Sequence, residues 1–266
     1  MKKILAFAAA ALFFAFLLTG CIANREKEAP AVKDETGGRL QIVATLVPQY
    51  DFARQIAGNK AEVTLLLPPG VESHSYEPTP SDAVKINKSD LFIYTGEAME
   101  AWCGKIIDSM QDSGSHSLVL DVSQGINLVK AEEIEVEHRH DGEDTEALEH
   151  ENEHLYDPHI WTDPLNAKAM ATSIRDALCD LDPANADYYK KNASAYIAEL
   201  DALDSEFRDI VSSGKRDEII FGSRFALYYF AKRYGLSYEA AFDSCSSETE
   251  PSARAVAGLI EEIRAE

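Results

Sequence analysis

The chain has 266 residues and a formal net charge of −21, from 46 acids against 25 lysines and arginines. Phosphate recognition needs a basic surface, so nucleic acid is excluded as a partner; an acidic field concentrates cations instead. The cysteines Cys21, Cys103, Cys179 and Cys245 are far apart and lack CxxC spacing, which leaves neither a disulfide framework nor a structural zinc knuckle.

The N-terminus reads as a targeting segment. Lys2 and Lys3 precede an uncharged apolar run over residues 4–18, shorter than the roughly 20 residues a spanning helix needs. Leu18-Thr19-Gly20-Cys21 follows and resembles the lipobox of bacterial lipoproteins, in which the cysteine is lipidated and becomes the mature N-terminus. Residues 22–38 are polar and carry Pro and Gly, as a flexible tether does. A lipidated Cys21 on such a tether anchors a protein to a membrane without spanning it.

Strands are predicted over residues 41–46, 62–67, 91–95 and 117–122, with helices over 48–57, 80–87 and 99–110 between them. This alternation implies a parallel α/β layer. Cys103 and Cys179 fall in helical patterns and read as small core residues. Residues 132–157 then hold twelve acids, one base (Arg139) and four histidines. Such a run cannot bury enough apolar surface to order itself and is expected to be a loop. Asp163-Pro164 starts a helix through Leu178, and Asp182-Pro183 another reaching about Ser212, long enough to cross between two lobes. A second α/β set follows: strand 218–221, helix 225–234, strand 237–242 and helix 251–264. Two strands make a poor core alone, so this second lobe is expected to be incomplete. The expected organisation is a signal peptide at 1–21, a tether at 22–38, a first lobe at 39–182 with the acidic loop at 132–156, a linking helix at 183–213, and a partial second lobe at 214–266.

Four stretches carry chemistry. In LPPGVESHSYEPTP, His74 lies in the loop after a strand, with Glu77 three residues on; ligands of open α/β sheets bind in such loops. In DPHIWTDP, His159 sits in a Pro and aromatic frame, and Asp157 or Asp163 could hold its second ring nitrogen or cap the next helix. His138, His140, His150 and His154 show no tetrahedral spacing; they suit weak, exchangeable metal capture or a solvated linker. In DSCSSETEPS, Asp243, Cys245, Glu248 and Glu250 are candidate auxiliary ligands, or the glutamates cap the helix that follows.

Together PPGVESHSYEPTPSD, DPHIWTDPLNAKAMA, LDPANADYYKKNA, YFAKRYGL and ETEPS resemble the metal-binding lipoproteins of zinc and manganese ABC importers, the cluster A-I solute-binding proteins. The histidine-rich loop resembles their zinc-importing branch. The resemblance implies two α/β lobes with parallel sheets, joined by one long rigid helix, with metal in the cleft between them. It implies His74 and His159 as first-lobe ligands and zinc, or else manganese, as cargo. Glu77, Asp157 and Asp163 are the candidate supporting carboxylates. A third histidine usually stands at the start of the YFAKRYGL helix; here Phe221-Gly222-Ser223-Arg224-Phe225 offers none. A fourth ligand comes from a strand beyond ETEPS, so the chain reads as C-terminally truncated. The implied protein is a monomer at the outer face of the bacterial cytoplasmic membrane, with an ABC permease as partner and no enzymatic activity. A metal-buffering or adhesive surface lipoprotein using only the loop is the alternative. A zinc hydrolase could draft Glu77 as its base, but HExxH is absent.

Overall fold

The computed structural model describes residues 38–130, 156–242 and 251–265. Thirteen α-helices and strands appear among them, each where the hydrophobic pattern predicts one. They are β1 (Leu40–Ala44), α1 (Val47–Ala57), β2 (Ala61–Leu65), α2 (Pro80–Lys88), β3 (Leu91–Tyr94), α3 (Cys103–Ser113), β4 (Leu118–Asp121), α4 (Pro164–Leu181), α5 (Ala186–Ser213), β5 (Glu218–Arg224), α6 (Tyr228–Tyr234), β6 (Ser237–Phe242) and α7 (Ala253–Ala265). Residues 39–266 form one compact unit.

The first sheet has the order β2-β1-β3-β4, all parallel. Side chains alternate between its faces, and both faces are covered. Leu40, Ile42 and Ala44 of β1 join Leu91 and Ile93 of β3 in the main core. Val43, Phe92 and Tyr94 point the other way and pack with Ile86, Cys103 and Met110. The main core does not end with this sheet. It continues through α1, α4 and α5 to Phe225, Tyr228, Tyr229 and Tyr238 beside the second sheet, β5-β6, which is also parallel. Cys103 is fully buried, as expected of a small core residue, and Cys179 packs partly buried against the main core.

α5 is 28 residues long, hence about 42 Å. Its stripe Tyr189, Ala193, Tyr196 and Leu200 packs into the core. Further along, Phe207 meets Phe230 of α6 edge-on at 5.0 Å between ring centroids and Tyr234 at a tilt at 5.6 Å. Arg233 of α6 grips Asp204 of α5 with two hydrogen bonds of 2.7 Å. That guanidinium, with Tyr234 and Arg208 helping, holds the Asp204 carboxyl well below the usual range. α5 therefore carries the second sheet's helix on its own flank. By contrast, α7 leaves Val256, Ile260 and Ile263 exposed on one stripe.

Helix α3 starts at Cys103, later than the expected residue 99. Gly96, at φ 125°, turns the chain so that Met99 and Glu100 both donate to its carbonyl at 3.0 Å. A Cβ at Gly96 would lie 2.6 Å from the Ser123 hydroxyl, so this turn is open only to glycine. The turn drives Glu100 inward: it is 1% exposed and accepts from the Thr45 hydroxyl and the Thr95 amide. Burial pushes its carboxyl from 4.5 up to about 7, against the Thr45 and Thr95 bonds and with the help of Asp121.

The folded state thus holds an extra proton between those two values. Its contribution is complete below pH 4.5 and is lost as pH rises through about 7. Glu100→Gln mimics the neutral form and is expected to gain on the wild type by up to about 3 kcal/mol above pH 7. Urea unfolding at pH 5 and pH 8 measures this; the same stability difference at both pH values would contradict it.

Candidate metal centre

His74 follows β2, the strand at one edge of the first sheet. Its loop is fixed at both ends. Val71 closes a turn onto the Pro68 carbonyl at 3.2 Å. At the far end Thr79 and Asp82 form a reciprocal capping box on α2, and the Tyr76 hydroxyl donates to Asp82 at 3.2 Å while its ring packs against Trp102. Between these anchors, Glu72 accepts the His74 amide at 3.0 Å and the Ser73 hydroxyl at 3.3 Å. The His74 amide, with the imidazole and Arg224 adding their charge, holds the Glu72 carboxyl below its ordinary value.

His159 is 6% exposed, in a short stretch tied down by buried neighbours. The Asp157 amide donates to Val129 at 2.9 Å, Ile160 is fully buried, and the Thr162 hydroxyl donates to the His159 carbonyl at 2.8 Å. The Asp157 carboxylate, itself 1% exposed, lies 2.8 Å from both the His159 amide and Nδ1. A carboxylate facing Nδ1 places the ring proton there, so Nε2 presents its lone pair.

That lone pair points at His74. The two Nε2 atoms stand 3.3 Å apart, with ring planes at 60°. Two imidazoles bound to one tetrahedral zinc at about 2.0–2.1 Å place their nitrogens about 3.3–3.4 Å apart. The spacing therefore fits a shared divalent cation, and it is long for a direct N–H···N bond. The two histidines lie 85 positions apart in sequence, and the fold brings their loops to one place.

Other expected residues stand as follows. Asp157 takes the second ring nitrogen of His159, whereas Asp163 caps α4 by accepting from Leu165 at 2.8 Å and does not reach the imidazole. Glu77 is exposed and makes no hydrogen bond or ion pair among the described residues; Glu72 supports the His74 loop in its place. Such a glutamate, two residues before the amide it accepts, is a recognisable local pattern. Ser223 and Arg224 end β5 at a break in its pairing register with β6, and a bulge of this kind re-aims side chains. Arg224 comes to 3.5 Å from Glu72, with both side chains partly solvated; a pair of this kind contributes little to stability. His138, His140, His150 and His154 lie outside the described residues, as do Cys21, Asp243, Cys245, Glu248 and Glu250. Among the described residues no group of three or more histidines, cysteines, aspartates or glutamates assembles for a metal. The described part of the centre is therefore the imidazole pair and its carboxylate supports.

With this geometry established, likeness to known proteins becomes informative. Residues 42–266 match the family model described as the periplasmic zinc-uptake complex component A. The chain is 36% identical over 244 residues to the high-affinity zinc uptake system protein ZnuA of Bacillus subtilis, covering 92% of this chain and 73% of that protein. It is 35% identical over 230 residues to the zinc-binding lipoprotein AdcA of Streptococcus pneumoniae serotype 4, covering 86% of this chain but only 44% of AdcA. Among solved structures, the Zn(II)-bound ZnuA-like domain of Streptococcus pneumoniae AdcA superposes with a TM-score of 0.69 at 31% identity, covering 86% of this chain and 76% of the domain. The metal-dependent lipoprotein YcdH of Bacillus subtilis gives 0.69 at 32% identity, covering 85% of this chain and 76% of that one. The family model covers most of the chain, and a relative above 30% identity is spanned over 73% of its length; this chain is a member of the zinc-uptake complex component A family.

Proposed function

We propose that the chain is an extracytoplasmic zinc-binding lipoprotein, anchored through Cys21, that delivers its metal to an ABC permease. The observation that carries the reading is the 3.3 Å separation of two Nε2 atoms, one of them oriented by a buried carboxylate. Imidazole nitrogen suits zinc, whereas manganese prefers oxygen-rich sites. Relatives named for zinc uptake or zinc binding support the same choice of cargo. Two imidazoles leave half of a tetrahedral shell to other donors; Asp243, Cys245, Glu248 and Glu250 are the candidates. No catalysis is assigned; Asp157 and Glu72 accept hydrogen bonds that hold the histidine loops. Among the described residues no helix is long and apolar enough to cross a membrane. The proposed attachment rests on Leu18-Thr19-Gly20-Cys21, which resembles a lipobox. The acidic histidine-rich stretch acts as a collector that raises the local zinc concentration.

Three measurements test this reading. His74→Ala and His159→Ala are each expected to weaken zinc binding by at least about 100-fold in competition with a chromophoric chelator, since loss of a supporting group alone costs about 10- to 100-fold. Unchanged affinity in either variant would remove that histidine from the site. Asp157→Asn keeps the shape but loses the carboxylate that orders the imidazole, and an intermediate loss of about 10- to 100-fold is expected; wild-type affinity would show that the Asp157–His159 bond is irrelevant to metal. Deleting residues 132–155 is expected to leave one tight zinc per chain by isothermal titration. Loss of all binding would favour the metal-buffering alternative.

A further inference from the structure

Helix α6 belongs with the second sheet, yet two of its side chains hold the stretch that presents His159. They are Tyr229 and Arg233, four positions apart and therefore on one face of the helix. The Tyr229 hydroxyl is buried; it donates to the Asp157 carbonyl at 2.8 Å and accepts from the Val129 amide at 3.0 Å. Arg233 places Nε 3.1 Å from Oδ1 of Asp163 while Nε and Nη2 bind Asp204 of α5. Asp163 passes the constraint on, because the same oxygen caps α4. Residues 157 and 163 are thus pinned by one helix, and His159 lies between them.

The first of these pins bears most directly on the metal. Asp157 orients His159 through its carboxylate, while its own backbone is fixed by Tyr229 and Val129. A shift of the Asp157 peptide would move the acceptor of the Nδ1 proton and so turn Nε2 away from His74. We propose that Tyr229 and Arg233 are positioning residues of the metal site: α6 sets the orientation of His159, and metal is retained only while α6 stays docked on residues 157–163. Displacing the second sheet's helix then loosens the first sheet's ligand, which gives a permease a mechanical route to release. The inference rests on the assignment of His74 and His159 as metal ligands.

The test compares Tyr229→Phe, Arg233→Ala, Arg233→Lys and Lys232→Ala in the full chain. Lys232 lies on the same helix but is exposed. Zinc affinity, zinc dissociation rate and the visible spectrum of the cobalt(II) form are recorded at a temperature where circular dichroism shows each variant folded. Tyr229→Phe and Arg233→Ala are expected to release zinc on the order of tenfold faster, with a matching loss of affinity, as for other groups that support a ligand. Their cobalt spectra should change in shape. Arg233→Lys should recover part of the loss, and Lys232→Ala should match the wild type. A purely structural role would lower the melting temperature of the metal-free protein yet leave the dissociation rate and spectrum of folded protein unchanged; that result overturns the inference. His74→Ala and His159→Ala run alongside as controls. If they bind zinc as the wild type does, the metal-site assignment fails and the inference falls with it. If they fail to bind while Tyr229→Phe and Arg233→Ala behave as wild type, the site stands and the positioning role is wrong.

Discussion

The bond between the Asp157 carboxylate and Nδ1 of His159 is where fold and site meet. A buried carboxylate is tolerated only when its hydrogen-bonding capacity is met, and here the His159 amide and ring meet it. The same bond fixes the tautomer that turns Nε2 toward His74. Without it His159 would be one more histidine at the edge of an apolar core. With it, the ring has one orientation, in which Nε2 stands 3.3 Å from Nε2 of His74, a spacing that two ligands of one zinc ion would show.

The remaining architecture serves to keep this arrangement still. The fold brings the His74 and His159 loops together, although they lie 85 positions apart in sequence. Turns and caps stiffen the His74 loop, and buried apolar groups stiffen the other. The main core runs unbroken from the first sheet to the helix beside the second. Contacts to α6 through Tyr229 and Arg233 are an extension of that continuity, in which polar bonds are carried on an apolar platform. The net charge of −21 adds a long-range bias toward cations without shaping the centre itself.

Much of this was legible in the sequence, and the gaps have physical reasons. Strands and helices followed from hydrophobic period and from Gly and Pro punctuation, because burial on both faces of a parallel sheet leaves a strong local signal. The α3 boundary moved because a glycine turn at Gly96 is a local geometry that periodicity does not encode. His74 and His159 stand out from their Pro-flanked settings, and the fold sets their Nε2 atoms 3.3 Å apart. Glu72 does not stand out in the sequence, because its role depends on the turn that points its carboxylate back at the His74 amide, a matter of backbone direction. Tyr229 and Arg233 lay hidden inside an amphipathic helix, where an aromatic and a basic residue look like ordinary core and surface. Their role arises from contacts spanning 72 residues for Tyr229 and 70 for Arg233, which one chain read linearly cannot show.

The central claim is that one metal ion is held between the His74 and His159 imidazoles. Zinc K-edge X-ray absorption on the loaded protein tests it most directly. The outer-shell scattering of two imidazole rings is expected, with zinc–nitrogen distances of about 2.0–2.1 Å, and one ring should disappear from the spectrum of His74→Ala. A loaded wild-type spectrum with no imidazole scattering, or one identical to that of His74→Ala, would contradict the account.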